Sequence, residues 1–203
     1  MCPNEVVQRR SSLRLEGYDY TLAGAYFITM IAHRRECLFG DVIDGEVELS
    51  PYGQVVRDEW LASARIRREI QLHEDEFVVM PNHVHGIVWI VQDERESLIE
   101  LGDQGTTGVN NECVGATGRS PLRQIGLQKP GPAPRSLGSF VAGFKAAATR
   151  EINQIRGTPG EPVWKRNYFD RIIRDEVELQ HLRRYINENP MKWELDRENP
   201  DHW

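Results

Sequence analysis

The chain is poor in cysteine and in long apolar runs, and it has fewer basic than acidic residues; each of these features excludes a class of protein. Cys2, Cys37 and Cys113 lie far apart, without the paired spacing of a zinc site or a disulfide framework, which predicts a reducing, cytoplasmic environment. No uninterrupted apolar run approaches the roughly 20 residues that span a bilayer. Arg9 and Arg10 are not followed by the apolar core of a secretion signal.

The net charge of −6 excludes a uniformly basic nucleic-acid coat protein. The length of the chain, 203 residues, suits one domain spanning residues 1–203. Residues 92–135 are rich in glycine and proline and predict a flexible insertion in that domain. Residues 119–150 contain six basic residues and no acidic one, which indicates a polyanion partner, with a merely solvated loop as the alternative before Ser136.

Strands and one helix are predicted in the first half of the chain. Aromatic and β-branched residues predict a core strand at 25–31, and Asp44-Gly45 predicts the turn of a hairpin at 41–49. Ser50-Pro51 should open a helix that runs to about Ile70. The apolar run 77–91 reads as one strand, which Pro81-Asn82 interrupts as a bulge or bend.

The second half predicts two helices and an extended segment. Ser136 or Ser139 caps a helix that ends near Gly157, and residues 163–174 read as extended. Asp175 caps a last helix that runs to about Asn189.

Two histidines stand within the segment Met80-Pro81-Asn82-His83-Val84-His85-Gly86. Side chains alternate in a strand, so His83 and His85 project from the same face. Two neutral imidazoles can bind a divalent cation if a third ligand comes from elsewhere in the fold. The alternative is that both are polar strand residues that bond backbone carbonyls.

A second polar stripe lies on the last predicted helix. His181, Tyr185 and Asn189 are spaced by four residues and share one face. Tyr185 is a candidate nucleophile and the Asn189 amide oxygen a candidate third ligand; the alternative is a core-edge tyrosine and an ordinary helix stop. Tyr168 is a rival nucleophile, although on an extended basic segment it is expected to pack or to stack on a base.

Four basic residues surround Tyr168 in the extended segment, and they contact either a DNA backbone or solvent. They are Lys165, Arg166, Arg171 and Arg174.

Together these motifs resemble the REP-associated tyrosine transposases of the single-tyrosine HUH superfamily. The resemblance rests on the histidine segment, on residues 164–176, on Tyr185-Ile186-Asn187-Glu188-Asn189-Pro190, and on Tyr18-Asp19-Tyr20 with residues 24–29 near the start. It covers most of the chain outside residues 92–135.

The resemblance implies an α+β fold with a central antiparallel sheet and helices packed on it, an HUH-type core of the ferredoxin-like or RRM-like kind. It implies a metal-dependent endonuclease and strand transferase that acts on single-stranded, hairpin-bearing DNA in the cytoplasm, at the nucleoid. His83, His85 and Asn189 would hold Mg²⁺ or Mn²⁺, Tyr185 would form a 5′-phosphotyrosine intermediate, and His181 would assist. Both a monomer and a homodimer are compatible with it.

Three other functions remain open from the sequence. A rolling-circle nickase or relaxase shares the chemistry, although no helicase-like region is appended. A non-cleaving hairpin-DNA-binding protein would keep the fold without the reaction. A metal hydrolase would use the histidine pair with water, and it would need a carboxylate near the ion and no tyrosine.

Overall fold

The computed structural model describes residue 15 and residues 17–91 and 131–200. The predicted insertion at 92–135 therefore lies almost entirely outside the described residues, and the single domain spanning 1–203 stays a prediction. None of the described helices combines the length and the apolar character needed to cross a membrane.

The described residues contain seven β-strands and three α-helices. In chain order they are β1 (Gly24–Ile31), β2 (Gly40–Ile43), β3 (Glu46–Leu49), α1 (Pro51–Ile66), β4 (Ile70–Gln71), β5 (Phe77–Val79), β6 (His83–Ile90), α2 (Leu137–Arg156), β7 (Phe169–Ile173) and α3 (Glu176–Glu188). A short 3₁₀ helix, Pro190–Leu195, follows α3.

An antiparallel sheet forms the centre of the fold. Strand β1 pairs with β6 on one side and with β7 on the other, while β4 and β5 pair with successive parts of the outer edge of β6. Taking β4 and β5 as one interrupted edge strand gives the βαββαβ succession of ferredoxin-like folds. The predicted α+β fold with an antiparallel sheet is confirmed.

Helices α1 and α2 cover one face of the sheet and bury most of the core. The Trp60 indole of α1 stacks on Phe77 with ring centroids 4.2 Å apart, and Phe140 and Phe144 of α2 meet it edge-on. All three of these helix residues are buried. These buried side chains of both helices belong to the main core.

Helix α3 covers the opposite face of the sheet, which carries both histidines. Leu179, Leu182 and Ile186 are buried against Ala25 and Ile87. These contacts bring the last helix onto the same face as His83 and His85, because side chains of β6 at odd-numbered positions point that way.

Local sequence signals set most element boundaries. Ser50 caps α1 by accepting hydrogen bonds from the amides of Tyr52 and Gly53, and Ser136 forms a capping box with Ser139 at the start of α2. Gly157, in the left-handed conformation with φ 66°, ends α2. These predicted boundaries are confirmed.

Helix α1 is shorter than its sequence pattern predicts. It ends at Ile66, whose side chain is 79% exposed, and Ile70 instead starts β4 opposite Ile90. The prediction of a helix to Ile70 was wrong because an apolar residue four positions on fits either another helical turn or a short strand after a turn.

The run 77–91 forms a hairpin instead of one interrupted strand. Strand β5 ends at Val79, β6 begins at His83, and the Met80 amide donates to the His83 carbonyl at 2.8 Å. Pro81 cannot donate a ladder hydrogen bond, so the predicted bend becomes a full chain reversal. The reversal places His83 at the very start of the central strand β6.

Gly86 gives the Trp60 indole room to lie against β6. A Cβ atom at position 86 would lie 2.7 Å from two ring carbons of Trp60 and 3.1 Å from Phe77. We expect Gly86→Ala to lower the free energy of unfolding by about 2 kcal/mol, because overpacking of a closed core costs that much. Urea unfolding measures it, with Gly131→Ala as the control, since a Cβ there meets no atom within 4 Å. Equal stabilities of the two variants would contradict this interpretation.

Candidate active site

His83 and His85 face each other on the α3 side of the sheet. Their Nε2 atoms lie 3.0 Å apart, and both side chains are buried. Burial lowers the pKa of His83 to about 4, against a smaller raising effect of Asp196. Burial and the neighbouring His83 hold the pKa of His85 well below its usual value. Both imidazoles are therefore neutral at pH 7, which is the state that binds metal.

Hydrogen bonds at Nδ1 orient both rings. Asn82 Nδ2 donates to the carbonyls of Glu198 at 2.6 Å and Arg35 at 3.2 Å, which leaves its Oδ1, 2.9 Å from His83 Nδ1, as an acceptor. His83 thus carries its proton on Nδ1 and has a lone pair on Nε2. His85 Nδ1 lies 2.8 Å from Thr29 Oγ1. Supporting bonds of this kind orient metal-binding histidines.

Helix α3 brings its polar stripe to the histidine pair. The Tyr185 hydroxyl lies 3.3 Å from His85 Nε2, and the tyrosine ring packs edge-on against His85 at 5.1 Å. Tyr185, Asn189 and the exposed His181 line one cavity of about 600 Å³ together with His85. Tyr185 is 41% exposed, so part of its side chain is open to solvent at this cavity.

Burial and neighbouring charges set the protonation state of Tyr185, beside the buried amide of Asn189. Burial raises the pKa of Tyr185, as does Asp196, while the hydrogen bond from Asn189 lowers it. The phenol is therefore protonated at neutral pH. Asn189 is buried, and its Oδ1 has no hydrogen-bond partner in the part of the chain that the structure describes.

Asp196 joins the site from the segment after α3. Its carboxylate oxygen lies 4.0 Å from His83 Nε2, and the ligand atoms of His83, His85 and Asp196 all lie within 4.8 Å of one another. Sequence reasoning assigned no site role to this residue. The sequence shows only that Asp196 follows Asn189 by seven residues, and this spacing does not distinguish it from Glu194 or Glu198.

Comparisons with known proteins identify relatives of this sequence and of its fold. No protein-family model matches the chain. An uncharacterized protein of Haemophilus influenzae is 33% identical over 198 residues, which cover 96% of this chain and 95% of that protein. The chain belongs to the same family as this protein. A solved structure of a REP-associated tyrosine transposase bound to a REP hairpin aligns at 18% identity with a TM-score of 0.52, covering 89% of this chain and 74% of that chain.

The chain has the REP-associated tyrosine transposase fold. The resemblance inferred from the sequence motifs is thereby confirmed at the level of fold.

The donor set of this transposase-like fold fits a divalent cation. The lone pair on His83 Nε2 points at His85 Nε2 across only 3.0 Å, and a carboxylate stands beside them. A cation between these atoms would use both imidazoles and the acid, whereas Asn189 offers its unpartnered Oδ1 from the same cavity. Imidazole and carboxylate donors of this kind bind divalent metal ions in proteins.

The four predicted DNA-binding residues line different cavities of the protein. Arg171 lines the cavity that contains Tyr185 and forms an ion pair with Glu178, and Arg174 lies in a smaller cavity beside it. Lys165 and Arg166 line a different groove, next to α2.

A buried ion pair holds α3 against the β5–β6 hairpin. Glu76 is fully buried and accepts from Arg183 Nε at 2.8 Å and from the Trp89 indole at 2.6 Å. Arg183 lies two residues before Tyr185. The sequence showed no sign of this contact, because its two members are 107 residues apart.

We expect Arg183→Met to lower the free energy of unfolding by about 3 kcal/mol, since it leaves the Glu76 carboxylate buried without its cation. Urea unfolding measures the loss. Arg184→Met is the control, because Arg184 is exposed and its replacement should cost less than about 0.5 kcal/mol. Adding Glu76→Gln to Arg183→Met should recover part of the loss, and a purely additive pair would contradict the contact.

Proposed function

We propose that this protein is a metal-dependent single-stranded DNA endonuclease and strand transferase with Tyr185 as its nucleophile. The observation that carries the proposal is the 3.3 Å separation between the Tyr185 hydroxyl and His85 Nε2, beside a cluster of two imidazoles and a carboxylate. The transposase fold, and the REP hairpin bound by the solved transposase that shares it, favour hairpin-bearing DNA as the substrate.

The proposed reaction exchanges one phosphodiester bond for another. The Tyr185 oxygen loses its proton and attacks the scissile phosphorus, and the bond from phosphorus to the 3′ oxygen breaks. That oxygen takes up a proton and leaves as a free 3′-OH, while the 5′ phosphate stays on Tyr185. Attack by the 3′-OH of a second strand reverses the step and releases the phenol, so no external energy source is needed.

A divalent cation held by His83, His85 and Asp196 or Asn189 would polarise the phosphate and stabilise the charge that develops on it. The chain's own residues have separate tasks. The hydrogen bond from Asn189 favours the phenolate form of Tyr185. His181 lies one turn before Tyr185 in the cavity, where it can contact a phosphate oxygen. Arg171 lines the same cavity and offers a cation to the DNA backbone.

The proposed site draws its residues from β6 and α3 of one chain, and α3 packs directly on the sheet that contains β6. The proposal therefore requires no second subunit, and pairing of two chains stays a prediction. We also propose that all of residues 1–203 form one domain around this site.

A metal hydrolase is the second candidate function. Asp196 beside the histidine pair is the carboxylate that such an enzyme needs, and water would then be the nucleophile. The two functions differ in one product. Incubation with a labelled hairpin oligonucleotide, followed by denaturing electrophoresis, should reveal a covalent protein–DNA adduct if Tyr185 attacks. Hydrolysis by water, or binding without cleavage, leaves the DNA free of protein.

A further inference from the structure

A second groove lies beside α2, outside the catalytic cavity. It has a volume of about 780 Å³, and its lining combines cations with an apolar floor. The cations are Lys145, Arg150, Lys165 and Arg166, and the floor includes Pro159, Pro162, Val163 and Trp164. This combination suits a ligand that has both anionic and flat apolar parts.

The charge of this groove opposes that of the protein as a whole. The chain carries a net charge of −6, yet no acidic residue is among the described residues that line the groove. Lys145 donates to the carbonyls of Lys165 and Asn167, both at 2.9 Å, and Arg150 bonds Glu151 at the rim. Lys165 and Arg166 are exposed. These two cations are therefore the ones best placed to meet an anion from solvent.

The groove and the catalytic cavity are joined by one stretch of chain. The Lys165 amide donates to the Ile31 carbonyl at 2.8 Å, and Ile31 is the residue opposite His83 in the sheet. Six residues later, Arg171 lines the catalytic cavity. Six residues span at most about 20 Å, which about six stacked nucleotides cover at 3.4 Å each.

We propose that the groove binds the unpaired DNA strand next to the bond that Tyr185 cuts, with Lys165 and Arg166 contacting its phosphates. Pro159 and Pro162, the exposed apolar residues of the floor, would pack against the sugars or bases of that strand. This inference rests on the proposed function, because it assumes that DNA occupies the catalytic cavity. It adds a second contact surface for the substrate, beside α2 and outside the cavity that contains Tyr185.

The test is a binding measurement on the double variant Lys165→Glu/Arg166→Glu. Fluorescence anisotropy with a hairpin oligonucleotide that carries a single-stranded extension should show at least a tenfold weaker affinity than the unmodified protein. Loss of two phosphate contacts should also reduce the slope of log affinity against log salt by about 1.4, at 0.7 per phosphate. For the unmodified protein, affinity should rise as the extension grows to about six nucleotides, and this rise should vanish in the variant.

The matched control is Arg65→Glu/Arg68→Glu, which changes the net charge equally at two exposed positions that do not line the groove. Equal loss of affinity in both variants, or no loss in the groove variant, would overturn the proposal. So would an acidic polypeptide that displaces the oligonucleotide from the groove at equal concentration, since the occupant would then be a protein. Because binding and adduct formation are measured separately, the groove can fail while Tyr185 still forms its adduct, and the reverse.

Discussion

Tyr185→Phe should reduce formation of the covalent protein–DNA adduct by at least about a thousandfold, as removal of a nucleophile does. The substitution keeps the aromatic ring, whose edge-on contacts with His85 and Phe27 hold this part of α3 in place. Only the hydroxyl disappears. Affinity for the hairpin oligonucleotide should therefore stay within about threefold of the unmodified protein, measured by anisotropy.

Tyr168→Phe is the matched control for this experiment. Tyr168 lies near Lys145, 6.0 Å from its ammonium group, on the groove side of the sheet. Its phenol is not among the residues that line the catalytic cavity. The control variant should form the adduct at the normal rate. An undiminished adduct yield in Tyr185→Phe, or its loss in Tyr168→Phe alone, would transfer the nucleophile role elsewhere.

Removal of divalent metal by EDTA should abolish cleavage and adduct formation, and added Mn²⁺ or Mg²⁺ should restore both. The reason is the cluster of neutral imidazoles and a carboxylate, which neutralises no phosphate charge without a cation. A protonated phenol in a site that raises its pKa needs that help most. Cleavage that continues under chelation would remove the metal from the mechanism.

Two variants separate the candidate third ligands. We expect Asp196→Asn to weaken Mn²⁺ binding by about 10- to 100-fold, measured by calorimetry and by the Mn²⁺ concentration at half-maximal cleavage. Glu194→Gln, an exposed carboxylate on the same turn, is its control and should change neither value. Asn189→Ala should weaken Mn²⁺ binding less than Asp196→Asn does. The reverse order would assign the ligand role to Asn189.

Local chemistry made much of the fold predictable. The alternation of side chains places His83 and His85 on one face wherever the strand lies, and Ser50 and Ser136 cap their helices through bonds to residues two or three positions away. The spacing of four that puts Tyr185 and Asn189 on one stripe is also a property of the helix alone. Such features depend on neighbours in sequence, so the sequence reports them.

Contacts between residues far apart in the chain could not be predicted from the sequence. Asp196 stands beside His83 because Asn82 binds the carbonyl of Glu198, 116 residues away in the chain, and draws the terminal segment inward. No periodicity marks such a residue. The reversal at Pro81 was mistaken for a bulge for a related reason, since only pairing of β5 with β6 distinguishes the two. The sequence also did not show that Lys165 and Arg171 line two different cavities, because that depends on the path of the chain in the folded sheet.

The direction of β6 has a practical consequence. His83 and His85 begin this strand, whereas the chain leaves its other end at Val91 and is next described at Gly131. Eight residues of strand put about 26 Å between that exit and the first histidine. A fluorophore attached at Val91 itself would therefore lie far from the two histidines, which offers a place to label the protein for single-molecule work.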